Sequence, residues 1–320
     1  MIDTTGTGAV GEAAGSWPLP PLVAIAHGSR DPRAGAAVAD LLHQVRQRAA
    51  WHGRGDLKVV TAYLDHAPPS PTQVLAALHA SALNASALNA SALHASALHA
   101  SALHASDRPT DPGRPGPWDP TGTAPSHQAS TVVALPLLLT DAYHSKADIP
   151  SVLRTASATL PGLRIRYGAT LGPHRLLITA MERRLAQAGV RIGDPGTAVV
   201  LASAGSSDPA AREVIVQLAR KWQALRGWRD VVPAFASAAS PSPAEAVIAL
   251  RDRGTRRVVV ASYLLAPGVF ADKVRESSLA SGAAAVSGIL GAAPEVADLV
   301  LRRYAAASAG IVSPEMAATG

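Results

Sequence analysis

Three strand-and-loop blocks occur twice in this chain, in the same order, and that duplication limits the possible fold more than any other feature. HGSRDPRA from His27 matches AGSSDPAA from Ala204, and TAYLDHAPPSP from Thr61 matches PAFASAASPSP from Pro233. VVALPLLLTDAYHSKADI from Val132 matches VVVASYLLAPGVFADKVR from Val258. Each block is an apolar run rich in Val, Ala and Leu that ends in a loop, and helix-like segments lie between the runs. Val-rich strands alternating with helices belong to parallel sheets covered on both faces. The fold class is therefore α/β, with two similar doubly wound lobes related by duplication. The expected boundaries are a disordered leader over 1–18, an N-terminal lobe over 19–190, a C-terminal lobe over 195–310 and a tail over 311–320. In open parallel sheets ligands bind beyond the carboxyl ends of the strands, and all three blocks put their loops there.

The spacing exposes an insertion. His27 and His144 are 117 residues apart, whereas their counterparts Ala204 and Phe270 are 66 apart, so the first half carries 51 extra residues. These coincide with the repeat HASALNASALNASALHASALHASALHAS (79–106) and the Pro/Gly-rich stretch after it, an insertion over about 79–130. Five residues advance an α-helix about 140° past a full turn, so Leu83, Leu88, Leu93, Leu98 and Leu103 form no stripe. Alanine propensity allows the tract to extend the preceding helix, but it has no face to bury, and a mobile loop is the expectation. Metal capture by His79, His94, His99 and His104 is the functional alternative.

Candidate chemistry sits in the first half. His27 ends an apolar strand and begins a Gly-Ser turn; its counterpart is Ala204. His144 follows the most apolar strand; its counterpart is Phe270. Both imidazoles lie on one edge of one half, and both are missing from the other. Two neutral imidazoles facing a shared cleft can hold a divalent metal or accept protons. Asp65, whose counterpart is Ser237, can orient a histidine, complete a metal site, accept a proton or simply cap a helix; adjacent His66 is the lesser candidate. Backbone amides after Gly28, with Ser29 and Arg30, suit a carboxylate or phosphate. Lys146 and Lys273 are either solvated charges or anchors for an acidic ligand. Asp31-Pro32 and Asp208-Pro209 read as helix N-caps followed by proline at the first helical position.

Composition removes other classes. There is no cysteine, so disulfides, thiolate metal sites and cysteine nucleophiles are excluded. The net charge of +6 is dispersed, without the dense Lys/Arg face and stacking aromatics of a nucleic-acid binder. An acidic small molecule accounts for it equally well. No apolar run approaches about 18 residues, and residues 1–17 lack the pattern of a signal peptide; a cytoplasmic protein without membrane association is expected. G-x-G-x-x-G after a strand, a Walker A sequence, a G-x-S-x-G elbow and H-E-x-x-H are all absent. A hydrolase of an acidic metabolite would need an activated nucleophile, and none is found.

AIAHGSRDPRAGAAV, AYLDHAPPSP and VVALPLLLTDAYHSKADIP together resemble the sirohydrochlorin chelatases, the class II cobalto- and ferrochelatases, over roughly residues 20–310 once the insertion is removed. The resemblance implies insertion of Fe2+ or Co2+ into sirohydrochlorin, in siroheme or cobalamin biosynthesis, without nucleotide or permanently bound cofactor. It implies that His27 and His144 bind metal and accept pyrrole protons, and that Asp65 falls where the family usually has Glu in a Leu-Glu-Leu-like context. Ser29, Arg30, Tyr143 and Lys146 are the expected substrate-binding residues. Two departures stand out. Ala142-Tyr143 replaces the usual Gly-Gly, giving a ring that can narrow the cleft or stack on the macrocycle, and Asp65 is one methylene shorter than Glu. The alternative function is a non-catalytic metal or tetrapyrrole binding protein.

Overall fold

The computed structural model describes residues 19–104, 130–141 and 144–310, the side chains of 88–104 and His144 excepted. The expected leader, the tail, the Pro/Gly-rich stretch and Tyr143 lie outside these residues. Two four-stranded parallel sheets are present. The first is built from β1 (Leu22–Ala26), β2 (Val59–Tyr63), β3 (Ser130–Pro136) and β4 (Leu163–Tyr167), in the order β2-β1-β3-β4. The second is built from β5 (Thr197–Ser203), β6 (Asp230–Phe235), β7 (Arg257–Tyr263) and the two-residue β8 (Ala285–Val286), in the same order, β6-β5-β7-β8. The architecture is the duplicated α/β one expected from the repeated blocks. Strands β1 and β5 are buried at every position, β1 apolar throughout and β5 apolar between Thr197 and Ser203, as central strands covered on both faces must be.

The helices are α1 (Pro32–Trp51), α2 (Pro71–His104), α3 (Ile149–Thr159), α4 (Arg175–Gln187), α5 (Pro209–Arg226), α6 (Pro243–Asp252), α7 (Val269–Ala280) and α8 (Pro294–Ser308). Asp31 and Asp208 are N-caps as expected, accepting from the backbone N–H of Arg33 and Ala210. Helix α2 starts at a reciprocal cap in which Ser70 Oγ accepts from Gln73 N and Gln73 Oε1 accepts from Ser70 N. It then runs without a break to His104. The loop expected for the repeat is thus corrected over 79–104: alanine at two of every five positions sustains helix geometry even where no apolar stripe exists to bury. His79 is not a free ligand for metal capture either. It is 8% exposed and its Nδ1 lies 3.1 Å from Ser130 Oγ, tying the first repeat residue to the start of β3.

The two sheets share one hydrophobic core, because two helices pack across the duplication. Helix α4 packs on β7 and α8, and α8 packs on α1, β3 and β4. Leu22, Val133, Leu177, Met181, Val199, Leu218, Val259 and Val300 belong to the same buried cluster. Ion pairs follow the same exchange: Arg48 of α1 with Asp298 of α8, and Arg183 of α4 with Glu295 of α8 at 2.7 Å. Glu182 of α4 is 7% exposed and accepts from Trp222 Nε1 at 2.9 Å and from Arg226 Nε and Nη2 at 2.7 and 3.0 Å, all on α5. Replacing Glu182 with alanine leaves the fully buried Trp222 N–H without an acceptor, an expected loss of about 1–3 kcal/mol. Urea unfolding checks it. E182Q, which keeps an acceptor, should lose less, and equal stability of E182A and wild type would contradict the bridge.

Candidate functional site

Parallel strands β1 and β3 are neighbours, Leu22 pairing with Val133 and Ile25 with Pro136, while β2 lies on the other side of β1. The chain therefore leaves β1 and β3 on opposite sides of the point where the strand order reverses, the position at which doubly wound sheets open a crevice. His27 is the residue immediately after β1 and is exposed. His144 begins a short π-helix, His144–Asp148, in the connection from β3 to α3. The two histidines thus follow adjacent strands on one sheet edge.

The loop after β2 is fastened to the loop after β1. Leu64 N donates to Ala26 O at 3.0 Å and Asp65 N to His27 O at 2.9 Å, carrying the ladder one residue past the strand. The Asp65 carbonyl then lies directly over Gly28: a Cβ built there would stand 1.8 Å from Asp65 O, and Gly28 has φ +95°. The second half repeats the contact, with Gly205 at φ +91° and a Cβ position 2.0 Å from Ser237 O. Glycine is required at both positions by this approach. The next residue turns left-handed in both halves, His66 at φ +63° and Ala238 at φ +57°.

That turn brings His66 over His27. Their ring centroids are 6.3 Å apart and the rings are inclined by 13°. Asp65 Oδ1 accepts from His66 N at 2.7 Å, and Oδ2 lies 3.4 Å from His66 Nε2. Asp65 caps no helix; that task belongs to Ser70. Among the described residues no three His, Asp or Glu side chains form a preassembled metal cluster.

A cavity of about 700 Å3 lies between the lobes beside this pair. One side is formed by His27, Gly28, Ser29, Arg30, Asp31 and His66, and the other by Ala204 and the β7–α7 segment from Leu264 to Ala271. Val269 and Phe270 in that segment are 78% and 45% exposed, an apolar wall facing imidazoles. Phe270 occupies the position that His144 holds in the first half. A further hollow of about 430 Å3, at the carboxyl end of β5, is lined by Leu137–Thr140 and Ser203–Ser207. Among the described residues its only charged lining residue is Arg212.

The other expected residues fall as follows. Ser29 Oγ accepts from Asp31 N at 3.0 Å, as Ser206 Oγ does from Asp208 N at 3.1 Å, so the hydroxyl closes its turn and keeps its own proton to donate. Arg30 is exposed and lines the cavity. Lys146 Nζ lies 3.7 Å from Asp141 Oδ2, and the Ser145 hydroxyl donates to the other Asp141 oxygen. Tyr167 donates to Ser145 O at 3.0 Å, which anchors the π-helix to β4; burial, and then the Asp141 charge, raise its phenol above the ordinary range. Lys273 donates to Ala236 O at 3.1 Å instead of reaching the cavity. Across the mouth, Arg33 of α1 bonds Asp31 and reaches Asp272 of α7 at 2.6 Å; its side-chain and backbone donors hold the Asp31 carboxyl below the usual range.

The family model described as CbiX matches residues 21–100, 120–188 and 198–307. A sirohydrochlorin cobaltochelatase of Priestia megaterium is 29% identical over 150 residues, 46% of this chain and 49% of that protein. A sirohydrochlorin ferrochelatase of Bacillus subtilis (strain 168) is 31% identical over 147 residues, 46% of this chain and 55% of that protein. The chain spans about half the length of the curated relatives it matches. Among solved structures, SirB from Bacillus subtilis with Fe3+ shares the fold with a TM-score of 0.64 at 21% identity, over 92% of this chain and 97% of that one. DR2241 from Deinococcus radiodurans, described as structurally similar to chelatases, gives 0.59 at 18%, over 90% and 55%. No described helix is long and apolar enough to cross a membrane.

Proposed function

The chain belongs to the CbiX family, and on that footing we propose that it inserts a divalent metal, Fe2+ or Co2+, into sirohydrochlorin. The observation that carries the reading is His27 at the strand-order reversal, exposed in a cavity of about 700 Å3 whose opposite wall is apolar. A flat macrocycle ringed with carboxylates needs such a slot: an apolar face to lie against, supplied by Val269 and Phe270, and a cation at the rim, supplied by Arg30, with Lys146 as a second cation for a substrate carboxylate. Insertion replaces two pyrrole N–H protons by one dication. A neutral imidazole suits both halves of that exchange, as metal ligand and as proton acceptor near neutral pH. In this reading His27 and His144 divide those tasks, Asp65 assists, and Ser29 donates to a substrate carboxylate. Ligation by nitrogen and oxygen alone keeps the ion exchangeable, which a metal in transit requires.

The test is to mix protein, sirohydrochlorin and each metal without oxygen and follow the absorbance spectrum. Protein-dependent metallation supports the proposal, and an insertion rate no faster than the protein-free control rejects it. A second arm separates an enzyme from a metal carrier that works through the repeat. Deleting residues 84–126, with His79 and Ser130 retained, should leave insertion at saturating metal unchanged, whereas loss of activity there would move the chemistry into the insertion.

A further inference from the structure

We infer that His66 is a metal ligand paired with His27, and that Asp65 is a positioning residue for His66 rather than a ligand itself. The inference rests on the reading of this cavity as a metal-handling site. Four observations carry it. The His27 and His66 ring centroids are 6.3 Å apart and the rings are stacked, a separation near that of two imidazoles sharing one ion through metal–nitrogen bonds of about 2.1 Å; each ring must turn about its Cβ–Cγ bond to aim a nitrogen at that ion. Both line the cavity, whereas Asp65 is not among its lining residues and its side chain is 63% exposed. Each Asp65 oxygen is directed to His66, one to the backbone N–H at 2.7 Å and one to the ring at 3.4 Å. A carboxylate facing Nε2 favours the tautomer with its proton there, which leaves Nδ1 for the metal. Finally, the left-handed turn is common to both halves, but it carries histidine only where the neighbouring strand ends in histidine: His27 with His66, Ala204 with Ala238.

The shorter carboxylate then has a physical account. Asp65 lacks reach into the cavity, and His66, beside it, supplies the donor group in its place.

Co2+ alone, titrated into the full chain without tetrapyrrole, tests this through its visible d–d absorbance. All proteins carry H94N, H99N and H104N, which silence the repeat with the residue it already has at Asn84 and Asn89. Against that parent, H66A should weaken Co2+ binding at least about tenfold and reduce the d–d intensity. D65N should weaken it by about tenfold, the usual effect of losing an outer partner, while keeping the shape of the spectrum. Ala238 at φ +57° establishes that this turn accepts alanine; H66N, whose side chain also tolerates the left-handed region, repeats the measurement if H66A does not fold. Unchanged affinity and spectrum in the His66 variants, or no Co2+ bound by the parent, overturns the inference. Because no tetrapyrrole is present, failure of macrocycle insertion leaves this result standing, and the reverse also holds.

Discussion

His27→Ala is expected to lower metal insertion by roughly 10²–10⁴-fold, the range for removing a group that transfers protons at the reacting centre, while leaving the fold intact. His27 is exposed. The carbonyl of residue 27 accepts from Asp65 N, and alanine keeps that carbonyl. In the other half Ser237 N donates to Ala204 O at 3.0 Å in the same way. The melting temperature should therefore move by no more than about 2 °C. Initial rates of Co2+ insertion, read anaerobically beside a thermal melt, check both parts. A wild-type rate would take His27 out of the chemistry; a large drop in melting temperature would make it a structural residue.

Gly28→Ala is expected to act in the opposite way, through stability. A methyl group at this position would meet the Asp65 carbonyl at 1.8 Å, in a left-handed conformation at φ +95°. Left-handed strain in a non-glycine residue costs about 1–3 kcal/mol, and overpacking adds about 1–3 kcal/mol. The sum, about 2–6 kcal/mol, should lower the melting temperature by roughly 4–24 °C. Gly53 supplies the control: φ is +72° there, but a methyl group would meet nothing within 4 Å. G53A should lose only the conformational part, about 1–3 kcal/mol. Equal losses in the two variants would mean that the carbonyl over Gly28 yields without cost. Because that carbonyl belongs to the residue before His66, G28A should also displace the imidazole pair, and insertion should fall with stability.

Much of the fold was legible. The repeated blocks, the Val-rich runs and the Asp-Pro caps each encode their element locally, so the sheets, the helix starts and the shared functional edge could be read off the chain. The repeat over 79–104 was not legible in the same way: a period of five predicts no buried face, and it is the backbone preference of alanine, not packing, that makes it helical. His27 was singled out because its counterpart is alanine, and it lines the cavity between the lobes. The same test applied to His66 and Ala238 would have raised His66 above Asp65, but proximity in sequence hid it: two adjacent residues look interchangeable until a left-handed turn sends one toward the cavity and leaves the other facing out. Phe270 was read as the absence of a histidine, whereas with Val269 it lines the cavity opposite His27.

By itself, then, the amino-acid order determined two homologous parallel sheets, an edge where their loops gather, and a first half that alone carries imidazoles. Those properties follow from local periodicity and from comparison of one half with the other. Tertiary structure alone decided that α4 and α8 pack across the duplication into one core, that the second lobe presents an apolar face to the first, and that His66 stands over His27. Distances between groups remote in sequence depend on strand order, register and the close approach of one carbonyl to one glycine, and these are set by how surfaces fit, not by any pattern along the chain.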